Sequence, residues 1–430
     1  METPPPPLPT RGSRARGAVR KIAVDLSPLR ASRDFRRLWF GLLVSEFGYQ
    51  FTVVATLVQV FRLTGSAAAV GLTGLVGFAG LVVGTLIASA FVDAYDRRKT
   101  LIIAQVGFMI ASGTLLLGAV AGRPPLALIY GAVALTAGLS SIDSPTRSAM
   151  TPRLVGRELL PSALALNQVV WNGTALAGPA LAGVVIAQRN GLQWAYAIDL
   201  ITYVGMLVAA LGIRPVLPEV DEHTKTGWRA VREGFAYLKG RRVLQSTFAI
   251  DVVAMVFGMP RALFPILIIT QFHRGPAVLG LLFAAPAFGA FIGALTGGWV
   301  GRVRHQGRAV IWAVIVWGAG IAAFGLVGAN LWLGLFLLAV AGAADVISAV
   351  FRSTILQLAV PDSLRGRLSG IHILVVTGGP RLGDLEAGLV AQVFSPTASV
   401  VSGGVLCILG AGALALLVPA FRRYHAGGTI

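Results

Sequence analysis

Residues 70–92 read VGLTGLVGFAGLVVGTLIASAFV, and residues 93–99, which follow at once, read DAYDRRK. The first stretch contains no charged residue. At about 1.5 Å of rise per residue it is long enough, as a helix, to cross the roughly 30 Å hydrocarbon core of a bilayer. The second stretch is strongly charged and is expected to stay in water beside the membrane. Together the two stretches predict a transmembrane helix that ends in a charged loop.

Apolar stretches of similar length recur along the chain of 430 residues. They predict twelve membrane-crossing helices, near 38–60, 70–92, 100–121, 126–146, 163–187, 193–213, 244–270, 277–300, 309–328, 331–351, 368–394 and 397–420. The composition agrees, because charged residues make up only 13% of the sequence, against about 25% in soluble domains. A soluble fold is therefore excluded, and the expected class is an all-α membrane protein.

The charges are distributed unevenly, with 36 Lys and Arg against 18 Asp and Glu and a formal net charge of +18. In a soluble protein this surplus would suggest a nucleic-acid partner. Here, however, 30 of the 36 basic residues fall in loops and tails on one side of the predicted helices. Cytoplasmic loops of membrane proteins are enriched in Lys and Arg. We therefore predict a multi-pass plasma-membrane protein with both termini in the cytoplasm, in contact with membrane lipids and not with nucleic acid.

The longest interior polar stretch, residues 214–243, divides the predicted helices into two sets of six. The predicted organisation is a disordered cytoplasmic tail at 1–36, an N-terminal six-helix bundle at 37–213, a cytoplasmic linker with an amphipathic helix at 214–243, a C-terminal six-helix bundle at 244–420 and a cytoplasmic tail at 421–430. The two sets also repeat, because a shift of 205 residues carries Glu46 to Asp251 and Arg147-Ser148 to Arg352-Ser353. Two pseudo-symmetric bundles of this kind are typical of secondary transporters.

The charged loop after the second helix carries a motif. Its sequence, Asp93-Ala-Tyr-Asp-Arg97-Arg98-Lys99, resembles the cytoplasmic signature G-x-x-x-D-R-x-G-R-R of the major facilitator superfamily, in which Asp93, Arg97 and Arg98 match. Three residues depart from that signature: Ser89, Ala94 and Asp96. The resemblance implies the major facilitator fold. It also implies that the three matching residues form a gating motif, which closes the cytoplasmic face against the other half.

Other stretches extend the resemblance over roughly residues 33–420. Thr151-Pro-Arg-Leu-Val-Gly-Arg157, Arg261-Ala-Leu-Phe-Pro265 and Leu364-Arg-Gly-Arg-Leu-Ser-Gly370 are similar to siderophore (enterobactin) exporters and related drug-efflux transporters of the bacterial inner membrane. Gly173-x4-Gly178-Pro179-x3-Gly183 approximates the Gly-Pro motif of superfamily antiporters, although a packing groove with a proline kink would use the same residues. The resemblance thus implies an exporter, with a monomer as the expected state.

Several acidic residues fall within the predicted helices, where insertion scales put the cost of a charge at about 2.5–3.5 kcal/mol. The candidate proton-coupling residues are Glu46, Asp251, Asp345 and Asp384. Glu46 and Asp251 occupy equivalent positions of the two halves and could face one central cavity. Alternatively, each could pair with a nearby arginine or lie among the lipid headgroups. We place Asp199, near the outer end of the sixth helix, at the membrane interface.

The candidate substrate-binding residues are Tyr49, Gln50, Asn167, Trp171, Asn172, Arg261 and Arg381. In the fifth helix Asn167, Gln168, Trp171 and Asn172 form a polar and aromatic cluster with i,i+4 spacing. This cluster suits either a substrate wall or hydrogen bonding between helices.

Two arginines lie within the predicted helices. Arg261 stands between Pro260 and Pro265, which weaken the backbone hydrogen bonds of its helix as at a gate. Arg381 and Asp384 share a helix face at i,i+3, which fits either a self-neutralising pair or a coupling or anionic-substrate site. An acidic and aromatic molecule, such as a catecholate siderophore, would suit a cavity that contains these arginines.

The sequence shows no phosphate-binding loop, metal-ligand cluster or Ser-His-Asp arrangement, so we predict neither an enzyme nor a cofactor or metal. We predict a proton-coupled secondary active exporter of small amphipathic molecules, siderophore-like or drug-like, that works by alternating access of the two bundles. Its predicted partners are the small-molecule substrate, protons and membrane lipids. The alternatives are a lipid or lysolipid transporter of the same fold and a membrane enzyme or sensor.

Overall fold

The structure is a computed structural model that describes residues 25–91, 96–217, 233, 236–297 and 303–425. Asp93 of the predicted gating motif and most of the linker with its predicted amphipathic helix lie outside the described residues. The described chain consists of α-helices and contains no β-strand. This confirms the predicted all-α class.

The helices follow one another along the described chain. In chain order they are α1 Ser27–Ala31, α2 Arg33–Thr64, α3 Ala67–Phe91, α4 Arg97–Ala121, α5 Leu126–Ile186, α6 Gly191–Leu211, α7 Arg242–Phe257, α8 Phe264–Thr270, α9 Pro276–Thr296, α10 Gln306–Leu326, α11 Leu331–Ala359, α12 Asp362–Val393, α13 Pro396–Leu417 and α14 Pro419–Arg423. A single 3₁₀ turn, Arg261–Leu263, precedes α8 in this described part of the chain.

Ten helical segments of the described chain are long and apolar enough to cross a membrane. One of them, α5, has 61 residues and consists of two arms joined at Gly156, whose φ of 76° interrupts the helix. A positive φ of this kind costs glycine little, because glycine has no Cβ. The two arms of α5 count as separate crossings, and the 32-residue α12, which has several charged residues, adds another. The number of crossings then agrees with the twelve predicted.

Helix α2 begins inside the segment predicted to be a disordered tail. Ser32 caps it by accepting a hydrogen bond from the Phe35 amide at 3.1 Å, and Asp34 adds a negative charge in the first turn. Asp34 also pairs with Arg37 at 3.5 Å and with Arg214 at 3.3 Å. Capping and charge thus extend the helix beyond the apolar run, which is why hydropathy alone placed the boundary at residue 37.

The helices form two halves, α2 to α6 and α7 to α13, that meet along two seams. In one seam α3 packs on α12, and in the other α5 packs on α9. Glycines allow these close approaches: a side-chain carbon at Gly183 of α5 would stand 2.6 Å from the Gly280 nitrogen of α9. Small residues serve the same purpose wherever membrane helices pack backbone to backbone.

Both seams lie towards one end of the molecule, which we call the closed end and define by Thr64, Ile186 and Val393. The other end, defined by Arg33 and Arg97, we call the basic end. Helices of each half run alternately between these two ends. The fold therefore places the middle of each long helix around a space between the halves.

Candidate functional site

A cavity of about 750 Å³ lies between the two halves, and helices of both halves line it. The two seams bring the halves together on its closed-end side. Trp171 of α5 and Phe291 of α9 line the cavity, and they are 62% and 45% exposed. The described residues therefore leave the cavity open to solvent towards the basic end. A molecule bound there would touch both halves at once.

Polar and aromatic side chains form the cavity wall of the N-terminal half. Four of the predicted substrate-binding residues belong to this wall: Tyr49, Gln50, Trp171 and Asn172. Asn167 does not line the cavity. Its neighbour Gln168 does, and Gln168 Nε2 donates a hydrogen bond to Asn172 Oδ1 at 3.1 Å. Residues 168 and 172 share a helix face, and residue 167 points about 100° away from residue 168 around the helix axis. The structure therefore replaces Asn167 by Gln168 in the predicted wall.

Charged side chains form part of the cavity wall of the C-terminal half. Four of them line the cavity: Arg261, Asp345, Arg381 and Asp384. The predicted weak point near Pro260 is confirmed, because α7 ends at Phe257 and the backbone resumes with a 3₁₀ turn at Arg261–Leu263. This break frees the Ala262 amide, which donates a hydrogen bond to Asp384 Oδ1 at 3.1 Å. The backbone therefore holds the Asp384 carboxylate at the cavity.

Arg381 lies against the N-terminal half. A side-chain carbon at Gly77 of α3 would collide with Arg381 Nη1, and one at Gly74 would collide with the Arg381 carbonyl oxygen. At Gly74 only glycine leaves room for this contact, because the atom that a side-chain carbon would meet belongs to the backbone. Arg381 and Asp384 both face the cavity, as their i,i+3 spacing predicts. The Arg381 side chain thus joins the cavity wall to the seam between α3 and α12.

Glu46 lies outside the cavity lining and pairs with an arginine of its own half. Arg147 Nη2 is 3.1 Å from Glu46 Oε1 and 2.8 Å from Asp143 Oδ2. Gln105 Nε2 also donates a hydrogen bond to Asp143 at 2.9 Å. Of the three arrangements considered for Glu46, the structure therefore shows the one with a nearby arginine as its partner.

Asp251 has the equivalent partner in the other half, because Arg352 Nη1 is 2.9 Å from Asp251 Oδ1 and both side chains are 1% exposed. Arg352 and Asp251 form no hydrogen bond with each other, and neither carboxylate oxygen of Asp251 has a hydrogen-bond partner in the described structure. The contact is therefore an ion pair. His372 Nδ1 lies 3.6 Å from Asp251 Oδ2, and Asp345 lies 3.8 Å from Arg352 Nη2. Asp345 thereby connects the cavity to the buried pair, and Asp251 itself does not line the cavity.

The arginines of the predicted gating motif contact their own half. Arg97 Nη1 donates a hydrogen bond to the Ala149 carbonyl at 2.9 Å, and Arg98 Nη2 donates to the Leu211 carbonyl at 2.6 Å. Asp96 caps α4 by accepting from the Arg98 amide. These contacts tie together α4, α5 and α6 at the basic end, and Asp93 is outside the described residues.

Asp199 is deeply buried, so its predicted position at the membrane interface is wrong. The residue is 1% exposed, and its Oδ2 accepts hydrogen bonds from Thr52 Oγ1 of α2 at 2.6 Å and from Ser112 Oγ of α4 at 2.5 Å. Position along α6 suggested the interface, but α2 and α4 cover this face of α6. A sequence signal for the site exists, because Thr52 and Thr56 place two hydroxyls one turn apart inside an apolar helix.

Residues 23–426 match the model of a protein family described as transmembrane secretion effector. The enterobactin exporter EntS of Citrobacter koseri is 29% identical over 408 residues, which cover 94% of this chain and 96% of that protein. A solved bacterial homolog of the human lysosomal transporter Spinster matches with a TM-score of 0.69 at 12% identity, over 90% of this chain and 95% of that one. A bacterial homologue of the iron transporter ferroportin matches with a TM-score of 0.66 at 16% identity, over 88% and 98%. These structural likenesses confirm the predicted fold.

Proposed function

The chain belongs to the transmembrane secretion effector family of the major facilitator superfamily, and on that basis we propose that it is a proton-coupled exporter of small amphipathic molecules of siderophore type. The observation that carries the proposal is the cavity between the halves, with its aromatic wall and its charged wall. The proposed membrane is the bacterial inner membrane, and the proposed working unit is a monomer surrounded by lipid.

The cavity walls suit a molecule that is both aromatic and rich in oxygen. Trp171 and Phe291 offer ring faces and edges, against which an aromatic group gains area burial and favourable ring geometry. Arg261 and Arg381 offer guanidinium donors that bind anionic oxygens. The volume of about 750 Å³ lies within the roughly 300–1,000 Å³ of small-molecule sites. Enterobactin, the substrate named for the relatives, is our proposed representative of the substrate class.

The two seams support transport by alternating access. On the positive-inside rule we assign the basic end to the cytoplasm. We infer that both termini lie there and that the described cavity opens to the cytoplasm. Export then requires the seams α3–α12 and α5–α9 to part while the basic end closes. Glycine contacts such as Gly183 with Gly280 can separate as rigid surfaces, and Asp93, Arg97 and Arg98 are the proposed gating residues of the basic end.

Proton coupling rests on carboxylates near the cavity. Asp345 and Asp384 line it, and Glu46 and Asp251 lie in the ion-pair clusters behind it. A proton can drive export only if the inward-open and outward-open states bind it with different affinity. Protonation that weakens a carboxylate's hold on Arg352 or Arg147 would provide such a difference.

The test uses the purified protein in lipid vesicles with an imposed pH gradient and labelled enterobactin. We expect uptake to depend on the gradient, and we expect Arg381→Gln to lower uptake about tenfold or more, since a hydrogen bond to a charged group contributes about 1.5–3 kcal/mol. Arg62→Gln, an exposed arginine at the closed end of α2, is the matched control and should transport normally.

Three results would contradict parts of this proposal. Equal uptake with and without the gradient would remove proton coupling. Normal uptake by Arg381→Gln would remove that residue from the substrate site. Movement of a lysophospholipid or of unrelated drugs, without movement of enterobactin, would replace the proposed substrate by one of the alternatives.

A further inference from the structure

Asp199 differs from the other carboxylates described above, because the side-chain hydrogen-bond partners that it has in the described structure are both hydroxyl groups. Thr52 Oγ1 and Ser112 Oγ both donate to Oδ2, at 2.6 and 2.5 Å. Oδ1 is buried and has no hydrogen-bond partner in the described structure. A buried carboxylate without a cation is expensive, whereas a protonated carboxyl is neutral and can use its own hydrogen as a donor.

Among the described residues, the ionisable groups around Asp199 provide no cation. Glu46 of α2 and Tyr196 and Tyr203 of α6 are the groups that interact with it electrostatically. The Tyr196 hydroxyl is engaged, because it donates to Gln59 Oε1 at 2.7 Å. Arg147 of α5 is taken by Glu46 and its neighbouring carboxylate. From α4 the contact with Asp199 is the Ser112 hydroxyl.

Thr52 connects this carboxyl to the substrate cavity. The residue lines the cavity, yet it is only 7% exposed and its hydroxyl is directed to Asp199. Thr56, one turn further along α2, also lines the cavity. One hydrogen bond therefore separates Asp199 from the bound substrate and from the water of the open cavity.

We propose that Asp199 is the proton-binding carboxyl of the N-terminal half, and that Thr52 transmits its protonation state to the substrate cavity. When Asp199 is ionised, the Thr52 hydroxyl donates to Oδ2 and presents its lone pairs to the cavity, where they accept a hydrogen bond from a substrate hydroxyl. When a proton from cavity water binds Asp199, the carboxyl O–H donates to Thr52. The hydrogen of Thr52 then turns to the cavity and displaces the substrate donor.

This exchange makes proton and substrate compete across one hydroxyl group, which is the requirement for antiport. The proton that enters on one side of the membrane leaves to water on the other, and no bond of the protein other than O–H forms or breaks. The inference rests on the proposed function for its role in transport, but the proton site itself can be tested without any substrate. It assigns to Asp199 a part that we had predicted for Glu46 and Asp251.

The experiment compares the wild-type full chain with Asp199→Asn, Thr52→Val and Thr52→Ser. Infrared difference spectra over a pH series detect the protonated carboxyl, and a pH dye trapped in vesicles detects protons released when enterobactin is added. We expect Asp199→Asn to lose one titrating carboxyl band and to release fewer protons per enterobactin than wild type, while enterobactin still binds with an affinity that depends less steeply on pH. Thr52→Val should keep the band and lose the coupling, and Thr52→Ser, which retains the hydroxyl, should keep both.

Asp34→Asn, which alters an ion pair whose arginine is exposed, is the control and should behave as wild type. Proton movement in Asp199→Asn equal to that of wild type, or an unchanged carboxyl band, would overturn the inference. Should Asp199→Asn fail to fold, Ser112→Ala and Thr52→Val must each shift the pH midpoint of the band, and unchanged midpoints in both would overturn it equally. If wild type itself moves no protons with enterobactin, the proposed function fails, while a titrating band assigned to Asp199 would still establish the proton site.

Discussion

Replacing Arg352 by Met should destabilise the C-terminal half by about 3–5 kcal/mol, the range found when one partner of a buried ion pair is removed. The structure supports this range. Arg352 and Asp251 are both 1% exposed, and no hydrogen bond in the described structure compensates the Asp251 carboxylate. Asp345 should suffer less, because it is 25% exposed and can be hydrated from the cavity.

In this variant Asp251 has no arginine partner, and its protonation limits the loss of stability. Protonating a carboxyl with an ordinary pKa of about 3.9 at pH 7 costs about 4 kcal/mol, which lies within the same range. That cost falls to nearly zero as the pH approaches 4. The destabilisation of Arg352→Met relative to wild type should therefore shrink as the solution is acidified.

The assay is thermal unfolding of the detergent-purified protein at several pH values. At roughly 2–4 °C per kcal/mol for a unit of this size, Arg352→Met should lower the midpoint on the order of 10 °C at pH 7. The double variant Arg352→Met with Asp251→Leu should recover much of that loss, because no uncompensated charge remains at the pair. Arg214→Met, which breaks a contact whose arginine is 68% exposed, should change stability by less than about 1 kcal/mol.

Two results would refute this reasoning. If Arg352→Met unfolds within a degree or two of wild type, the pair does not carry the stability assigned to it. If the double variant is as unstable as the sum of the two single variants, the two charges do not compensate each other in the folded state.

Further predictions concern the seam, the cavity and the cytoplasmic face. Gly183→Leu should separate the α5–α9 seam, because a side-chain carbon there would stand 2.6 Å from backbone, and labelling of a cysteine placed at the closed end should increase. Trp171→Ala should raise the KM for enterobactin about tenfold, with little change in melting temperature. Hydrogen bonds from Ser27 and then Ser162 lower the pKa of Asp25, so its contact with α5 should persist on acidification until the pH falls through that lowered pKa. Ser162→Ala should bring the Asp25 midpoint closer to its ordinary value in an NMR titration.

The long helices and their repeat were predictable because the polarity of each residue can be read directly from the sequence. Runs of apolar residues indicated membrane crossings, and the 205-residue shift between Glu46 and Asp251 indicated equivalent places in two halves. The shift between Arg147 and Arg352 was equally visible. The sequence did not show that these residues pair within each half, because the pairing depends on how α5 packs on α2 and how α11 packs on α7.

The wrong predictions concerned how deeply a residue is buried or which helix face it lies on. The predicted helix boundaries put Asp199 near the outer end of its helix, which suggested the interface, but its burial follows from the packing of α2 and α4 around it. Asn167 and Gln168 are neighbours in sequence, and only the rotation of α5 selects Gln168 for the cavity. The start of α2 at Arg33 was missed because a Ser32 cap, and not hydropathy, extends the helix.

The sequence by itself determined that this chain is a multi-pass membrane protein with two repeated halves, since hydropathy and charge asymmetry are properties of single segments. It also carried the motif resemblance that identified the superfamily. Tertiary structure alone decided which of the described carboxylates are paired with an arginine and which are not. A charge is stabilised or left exposed by groups that approach from other helices, and Asp199, held only by Thr52 and Ser112, acquires its chemistry from that packing.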